Sequence, residues 1–379
     1  MQGRVVGETQ IAAQPYDAAV IAGRPNHLHP NVPRSSADEV ESAAMPGLSL
    51  QVQRLELPLV HPFTISRSTE SVSHTAIFRL RYNDIEGLGE ACPSPRYNES
   101  VDSIQAFFST GALRADDPYL LDALLVDIPP AARCGLDCAL HDVLGKDLQR
   151  PLYRILGVDP AQTKCTSFTI GISDPELTRQ KLAEVGEHPI IKVKLGAGRE
   201  VETIEAIRSQ YTGTIRVDAN EGWTPESSVA ILRELQRFDI EFCEQPIPAG
   251  HPERLRFIRE HCAIPIVTDE DSRDASDLPA LYGCVDGINV KLVKCGGIRA
   301  ALEMIHTARA LGLKIMLGCM VETAILSTAA AHLTPLVDWA DIDGPFLTAR
   351  DPFKGLGYAN GKLLLPEGPG LGVQECAVT

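Results

Sequence analysis

From Leu48 onward apolar and polar residues alternate, first in LSLQVQRLELPLV and then in HTAIFRLRYNDIEGLGEA. A period of two puts one face of each segment into a core, so both predict strands, the second turned back on itself at Asn83 and Asp84 as a hairpin. Past Ser100 the apolar spacing lengthens to three and four in VDSIQAFFS, DPYLLDALLVDI and AARCGLDCALHDVLGKDLQ, the last stopping before Pro151. That spacing predicts helices. Residues 46–165 therefore read as one α+β unit. Residues 1–45 show no sustained period and are rich in Pro, Ala, Ser, Asn and Asp, so they read as a disordered extension. The pair His27 and His29 inside it is incidental.

Beyond residue 165 the pattern becomes monotonous, short apolar strands alternating with helical segments such as REVETIEAIRSQY, PESSVAILRELQRF and GIRAALEMIHTARALG. Such alternation predicts a parallel sheet. The polar or small residue closing each strand recurs at Thr169, Lys194, Asp218, Glu244, Asp269, Lys291, Gly318 and Asp341, in steps of 22 to 27 residues. Eight strand ends in one run favour a closed (β/α)8-type barrel over an open sheet, with its C-terminal strand ends gathered at one mouth. The barrel is expected over 166–349. His332, in AAAHLTPL, reads as a helix residue.

The formal net charge of −15 disfavours nucleic acid or an anionic membrane surface as a partner. Ten cysteines are scattered without Cys-x-x-Cys spacing, which fits reduced thiols better than a disulfide framework. No apolar run reaches membrane-spanning length, and the first twenty residues lack a signal-peptide pattern, so a cytoplasmic protein is expected. A homo-oligomer is expected as well.

The chemistry lies at the strand ends. Any one of Asp218 in IRVDANEGW, Glu244 in IEFCEQP and Asp269 in PIVTDED serves equally as a helix cap or turn residue. Three acids on successive strand ends are different, because clustered carboxylates repel unless a cation or shared protons compensate. An all-oxygen set without His or Cys suits Mg2+ or Mn2+ and not zinc. Lys192 and Lys194, in HPIIKVKLGAG, share one face of their strand, and Lys291, in GINVKLVKCGG, ends a strand four staves away. A base thus faces a base across the acids, an arrangement suited to moving a proton α to a carboxylate. The like charge of Lys192 is expected to depress the pKa of Lys194. Lys294 falls outside the register of Lys291 and reads as a surface residue.

KVK, DANEGW, EQP, TDE and NVKLVKCGG, in this order and spacing, resemble the enolase superfamily and within it the muconate lactonizing enzyme subgroup. The resemblance spans about residues 48–375. It implies a modified (β/α)7β TIM-type barrel with an α+β capping domain completed by 350–379. It implies Asp218, Glu244 and Asp269 as ligands of Mg2+, with Mn2+ an alternative, and Lys194 and Lys291 as an acid/base pair assisted by Lys192. Asn220 and Glu270 would support the ligands. Within the subgroup the chain is most similar to dipeptide epimerases of the L-Ala-D/L-Glu type, which invert the α-carbon of the C-terminal residue through an enediolate. Asp341 and Asp343 in ADIDGP then suit a substrate ammonium group, and Met320 in LGCMVET and Thr169 in TSFTIGI line the pocket. Arg67, in HPFTISRST, matches the arginine that receives a substrate side-chain carboxylate. TDED departs from the family's usual Ala-Asp-Glu-Ser at Thr268 and Asp271, and the added acid has the charge a cationic dipeptide calls for. Alternatives are a cationic or hydrophobic dipeptide epimerase, o-succinylbenzoate synthase, N-acylamino acid racemase, muconate cycloisomerase, or a ligand-binding barrel without catalysis. The Asp341/Asp343 pair argues against those that act on substrates with no free ammonium group.

Overall fold

The alternating segments at the start of the folded chain form an antiparallel sheet of strands β1 (Glu39–Glu41), β2 (Leu48–Ile65), β3 (Ser68–Tyr82) and β4 (Ile85–Ala91), in that spatial order. The structure is a computed structural model, and it describes residues 39–41, 47–110 and 113–376. The expected disorder of the extension lies outside the described residues, apart from β1, which pairs with β2. Tyr82 pairs with Ile85 across the predicted turn, where Asn83 takes a φ of 51°. Left-handed backbone of this kind suits Asn because its short polar side chain tolerates it. One face of the sheet carries Leu48, Leu50, Val52, Phe78 and Leu80, all buried. On it lie helices α1 (Val101–Ser109) and α2 (Pro130–Asp147). The approach of α2 to β4 is close enough to require glycine, since a Cβ on Gly89 would stand 2.0 Å from the carbonyl oxygen of Gly135.

The monotonous half of the chain forms eight parallel strands: β5 (Phe168–Ile170), β6 (Ile190–Lys194), β7 (Thr214–Asp218), β8 (Ile240–Glu244), β9 (Ile266–Thr268), β10 (Gly287–Val290), β11 (Lys314–Gly318) and β12 (Trp339–Asp341), each bonded to its sequence neighbours. A parallel bridge from Thr166 to Ala340 and the hydrogen bond from Ser167 N to Ala340 O (3.2 Å) close the ring between its first and last strands. Among the helices outside it are α3 (Pro175–Val185), α4 (Glu200–Arg208), α5 (Pro225–Leu235), α6 (Pro252–His261), α7 (Ile298–Ala310) and α8 (Ala324–Ala331). Their apolar stripes pack on the strands, so the pattern of buried Ile204, Leu232, Leu255, Ile258, Ala301 and Ile305 repeats around the barrel.

Two connections tie the layers together. Strands β2 and β3 run past the sheet as a long hairpin, whose register shifts between Pro58 and Phe63. Near its tip Ser66 Oγ donates to Asn220 O (2.5 Å), and Thr64 O accepts from Ile172 N (2.9 Å), so the hairpin reaches the barrel mouth. The end of the chain returns to the first layer, where Leu371 N donates to the buried Asp142 (2.8 Å) and Glu375 pairs with Arg79 (2.7 Å). All ten cysteines are free. Among the described residues no helix is long and apolar enough to cross a membrane.

Candidate active site at the barrel mouth

Strand periodicity aims the site. Residues two apart on one strand share a face, and on β6 this turns Lys192 and Lys194 together into the ring, 2% and 9% exposed. Strands β7 and β8 end on Asp218 and Glu244, while β9 and β10 stop one residue short of Asp269 and Lys291. All of these side chains are buried at the C-terminal rim. Lys192 Nζ lies 2.6 Å from Glu244 Oε2, 3.2 Å from Asp218 Oδ2 and 2.6 Å from Asp341 Oδ2. Lys194 Nζ lies 2.7 Å from Asp218 Oδ2, and Lys291 Nζ 3.0 Å from Asp269 Oδ2. The two bases therefore approach the acid cluster from opposite sides, each on a different carboxylate.

The electrostatics follow from crowding. Burial, and next the charge of Asp218, push the Glu244 carboxyl up to about 7. Burial works against ionising Asp218 and Asp269 too, but Lys194 and Lys192 at the first, and Lys291 and Lys294 at the second, hold both well below the usual carboxylate range. Burial opposes the charge of Lys192 and is outweighed by Asp341, Glu244 and Asp218, so its ammonium is spent on these three acids. Lys291 is likewise held above its ordinary value, by Asp269 against the effect of burial.

Among the described residues no three His, Cys, Asp or Glu side chains hold a common ion as they stand. The donor set nevertheless fits a divalent cation. Asp218 and Glu244 already converge on one ammonium, and Asn220 Oδ1, on the residue whose N–H donates to Asp218 Oδ1, is buried without a hydrogen-bond donor. Buried oxygens left so are costly, and a hard cation satisfies them. Asn289, two residues before Lys291 on the same face, donates to Glu244 Oε1 (2.7 Å) and fixes that carboxylate.

Lys294 is not at the surface. Strand alternation ends at Val290, and the next residues form a helical turn, Leu292–Cys295, which carries Lys294 back beneath the mouth. There its Nζ donates to Asp269 Oδ1 (2.5 Å), Asp269 O (2.5 Å), Ser272 O (3.0 Å) and Asn289 O (3.1 Å). Asp271 does not enter the pocket either, because its oxygens accept from Gln245 Nε2 and Gly250 N (2.7 Å each).

Around the acids stand the groups expected to meet a substrate. Asp341 is engaged on both oxygens, by Lys192 and by Ser167 Oγ (2.5 Å). Asp343 Oδ2 accepts from Thr169 N (2.6 Å), its Oδ1 lies 3.7 Å from the Cys319 thiol, and burial beside Asp341 pushes it up to about 6 against the hydrogen bonds from Thr169. Met320 Sδ is 3.9 Å from Lys291 Nζ. Arg67, at the hairpin tip, places Nη2 2.8 Å from Glu270 Oε1 and Nη1 3.4 Å from Glu221 Oε2. Sequence reasoning missed three further groups. Glu322, buried beside Met320, is held well above the usual carboxylate range by burial and by Glu90. Tyr97 is held high by burial and by Asp269 and Glu270. Arg96 grips Glu221 through Nε and Nη2 at 3.0 and 2.8 Å. Only Glu322 carried a signal, its adjacency to the seventh strand end.

Residues 49–157 match the mandelate racemase/muconate lactonizing enzyme N-terminal domain, and residues 176–375 the enolase C-terminal domain-like family. An L-Ala-D/L-Glu epimerase of Bacteroides thetaiotaomicron is 38% identical over 329 residues, covering 84% of this chain and 86% of that protein. The substrate-liganded L-Ala-D/L-Glu epimerase of Bacillus subtilis superposes with a TM-score of 0.81 at 28% identity, covering 87% and 99% of the two chains. A dipeptide epimerase of Enterococcus faecalis V583, complexed with Mg and L-Leu-L-Tyr, gives a TM-score of 0.79 at 32% identity over 86% and 98%.

Proposed function

Because the chain belongs to the mandelate racemase/muconate lactonizing enzyme branch of the enolase superfamily, we propose that it is an isomerase, a dipeptide epimerase that inverts the α-carbon of the C-terminal residue by two-base proton transfer. The observation that carries this reading is the pairing of Lys194 and Lys291 with different carboxylates of one acid cluster, from strands on opposite sides of the ring. Asp218, Glu244 and Asp269 would hold Mg2+ or Mn2+, which supplies a Lewis acid for the substrate carboxylate. Lys194 and Lys291 act on the two faces of the α-carbon, one removing its proton and the other returning one. Lys192, surrounded by Asp341, Glu244 and Asp218, keeps the acids from repelling one another. Asp343 Oδ1, which has no strong donor, is suited to the substrate ammonium group, with Thr169 N steadying the other oxygen.

An acidic second residue, as in Ala-Glu, is supported by Arg67 at the mouth and by the Ala-Glu epimerases among the relatives. A neutral second residue is the other reading, favoured by the two carboxylates already facing Arg67. The test is proton NMR in D2O with Mg2+, following loss of the α-proton signal from pooled L,L-dipeptides that differ at the second residue. Exchange is expected, and no exchange in any pool refutes the epimerase. Lys194→Ala and Lys291→Ala should each abolish epimerisation while each still exchanges the α-proton of one epimer. Intact epimerisation in either variant refutes the two-base mechanism.

A further inference from the structure

The segment that links β11 to α8, residues 319–323, carries Met320 and Glu322 beside Lys291, and most of what holds it comes from the other layer of the protein. Glu90, on β4, is fully buried. Its Oε1 accepts from Thr75 Oγ1 (2.9 Å) and Thr323 N (3.0 Å), and its Oε2 from Thr323 Oγ1 (2.5 Å) and Leu326 N (3.1 Å). A carboxylate of the sheet layer thus takes the free amides at the start of a barrel helix, where a negative charge is favoured. Two neighbours hold the same segment, Ser73 Oγ donating to Val321 O (2.7 Å) and Cys92 Sγ lying 3.4 Å from that oxygen.

The segment has contacts on its inner side as well. Met320 Sδ is 3.9 Å from Lys291 Nζ. Glu322 accepts from Met320 N and Ser327 Oγ, each at 3.1 Å. Gly344, the residue after Asp343, lies so close that a Cβ there would meet Met320 O at 2.7 Å. A shift of residues 319–323 would therefore reach both Lys291 and the Asp343 corner. From this geometry, and resting on the epimerase reading, we propose that Glu90 is a positioning residue for substrate specificity, which acts from the capping layer through Thr323 to set Met320 and the Asp343 corner against the substrate.

The shape-conserving variant is Glu90→Gln. An amide has one acceptor oxygen where the carboxylate has two, so its NH2 would face a backbone N–H, that of Thr323 or of Leu326, and that bond is lost, while the Thr hydroxyl beside it must turn from donor to acceptor. On the full chain with Mg2+, KM for the turned-over dipeptide should rise tenfold or more while kcat falls less than threefold, because Lys194 and Lys291 keep their own partners, Asp218 and Asp269, and Lys291 is disturbed only through its contact with Met320. Measured with Met320→Ala, the double variant should be no worse than the poorer single one, since both disturb the same contact. Deuterium exchange of the Thr323–Leu326 amides should accelerate while the β6–β7 ladder is unchanged. An unchanged KM, multiplicative effects in the double variant, or unchanged exchange at Thr323–Leu326 overturns the proposal. Wild-type protein inactive on every dipeptide instead overturns the epimerase reading, and the exchange measurement then decides the role of Glu90 by itself. Ser73→Ala, which removes one bond to Val321, carries the same expectation at smaller size should Glu90→Gln fail to fold.

Discussion

Arg67→Gln separates specificity from support. Arg67 Nη2 pairs with the buried Glu270 at 2.8 Å, and Nη1 reaches Asn220 O at 3.2 Å and Glu221 at 3.4 Å. Glu221 is already held by Arg96 at 2.8 and 3.0 Å and by Ala249 N at 2.9 Å. Turning Nη1 to a substrate carboxylate therefore gives up the two longest contacts in the group, those to Asn220 O and Glu221. A hydrogen bond to a charged partner nets about 1.5–3 kcal/mol. The Arg67 side chain is 35% exposed, so screening brings the gain to about 1.5–2 kcal/mol. At 1.4 kcal/mol per decade that is about 10–30-fold in kcat/KM for Ala-Glu. Loss of the strut between hairpin and barrel adds about 1 kcal/mol or less, about fivefold, and does so for every dipeptide alike. The ratio of kcat/KM for Ala-Glu to that for Ala-Leu, followed by polarimetry in wild type and variant, should therefore fall about tenfold or more. An unchanged ratio, with both substrates slowed equally, refutes the role of Arg67 in recognising an acidic side chain and favours the neutral-residue reading.

Lys294→Met removes a buried cation from Asp269, and a pure charge argument predicts tighter metal binding; because Lys294 also anchors the carboxylate on one oxygen, Mn2+ affinity measured by electron paramagnetic resonance should instead weaken tenfold or more in protein shown folded by circular dichroism, and tighter binding refutes the anchor. Asp343→Asn should lower kcat/KM for dipeptides by about 10–100-fold, the worth of a charge-assisted hydrogen bond, while any α-proton exchange with N-succinyl amino acids, which lack the ammonium group, is unaffected; an equal loss on both refutes its assignment. His332 is buried and its pKa is pushed down to about 4, so it binds fewer protons folded than unfolded between about pH 6.5 and 4. Stability then falls as pH drops through that window, by about 3 kcal/mol at its lower end, and urea unfolding of His332→Gln should lose that much less between pH 7 and 4; parallel curves refute the linkage.

How much was legible in the sequence depended on whether one period governed a stretch. The barrel was, because each strand end is one polar residue closing an apolar run, and Lys194, Asp218, Glu244, Gly318 and Asp341 are the last residues of their strands. The same period of two that paired Lys192 with Lys194 also puts Asn289 with Lys291 and Arg216 with Asp218, two groups that a stricter use of register would have found. Arg216 is buried, donates to Ala340 O (2.7 Å) at the barrel seam and lies 3.5 Å from Ser167 Oγ, the partner of Asp341. Lys294 was misread because the period changes from two to a helical turn between Val290 and Leu292. Glu90 and Tyr97 were not legible at all. Each belongs to the first layer of the fold and meets the barrel only in three dimensions, and sequence separation alone gives no measure of that contact.

The charges at the mouth bear on why a cation and a carboxylate substrate belong together here. Setting aside Glu270, which pairs with Arg67 (2.8 Å), and Glu322, which burial holds well above the usual carboxylate range, five carboxylates, Asp218, Glu244, Asp269, Asp341 and Asp343, share the ring with four lysines, Lys192, Lys194, Lys291 and Lys294. Of these five, burial and a neighbouring carboxylate push Glu244 up to about 7 and Asp343 up to about 6; Glu244 shares the ammonium of Lys192 with Asp218 and Asp341, and Asp343 forms no ion pair with any of the four lysines among the described residues. A divalent cation beside Glu244 would turn the excess of one carboxylate into a surplus of one positive charge, which a substrate carboxylate cancels. A substrate ammonium group at Asp343 would then answer the other acid. A zwitterionic dipeptide backbone satisfies both conditions at once, whereas an N-acylated acid satisfies only the first and brings Asp343 no positive charge to add to Thr169 and the Cys319 thiol. On the proposed reading the charge pattern of this ring would select for a free amino terminus independently of the second residue, whose side chain would be read outside the ring, at Arg67 and the hairpin tip.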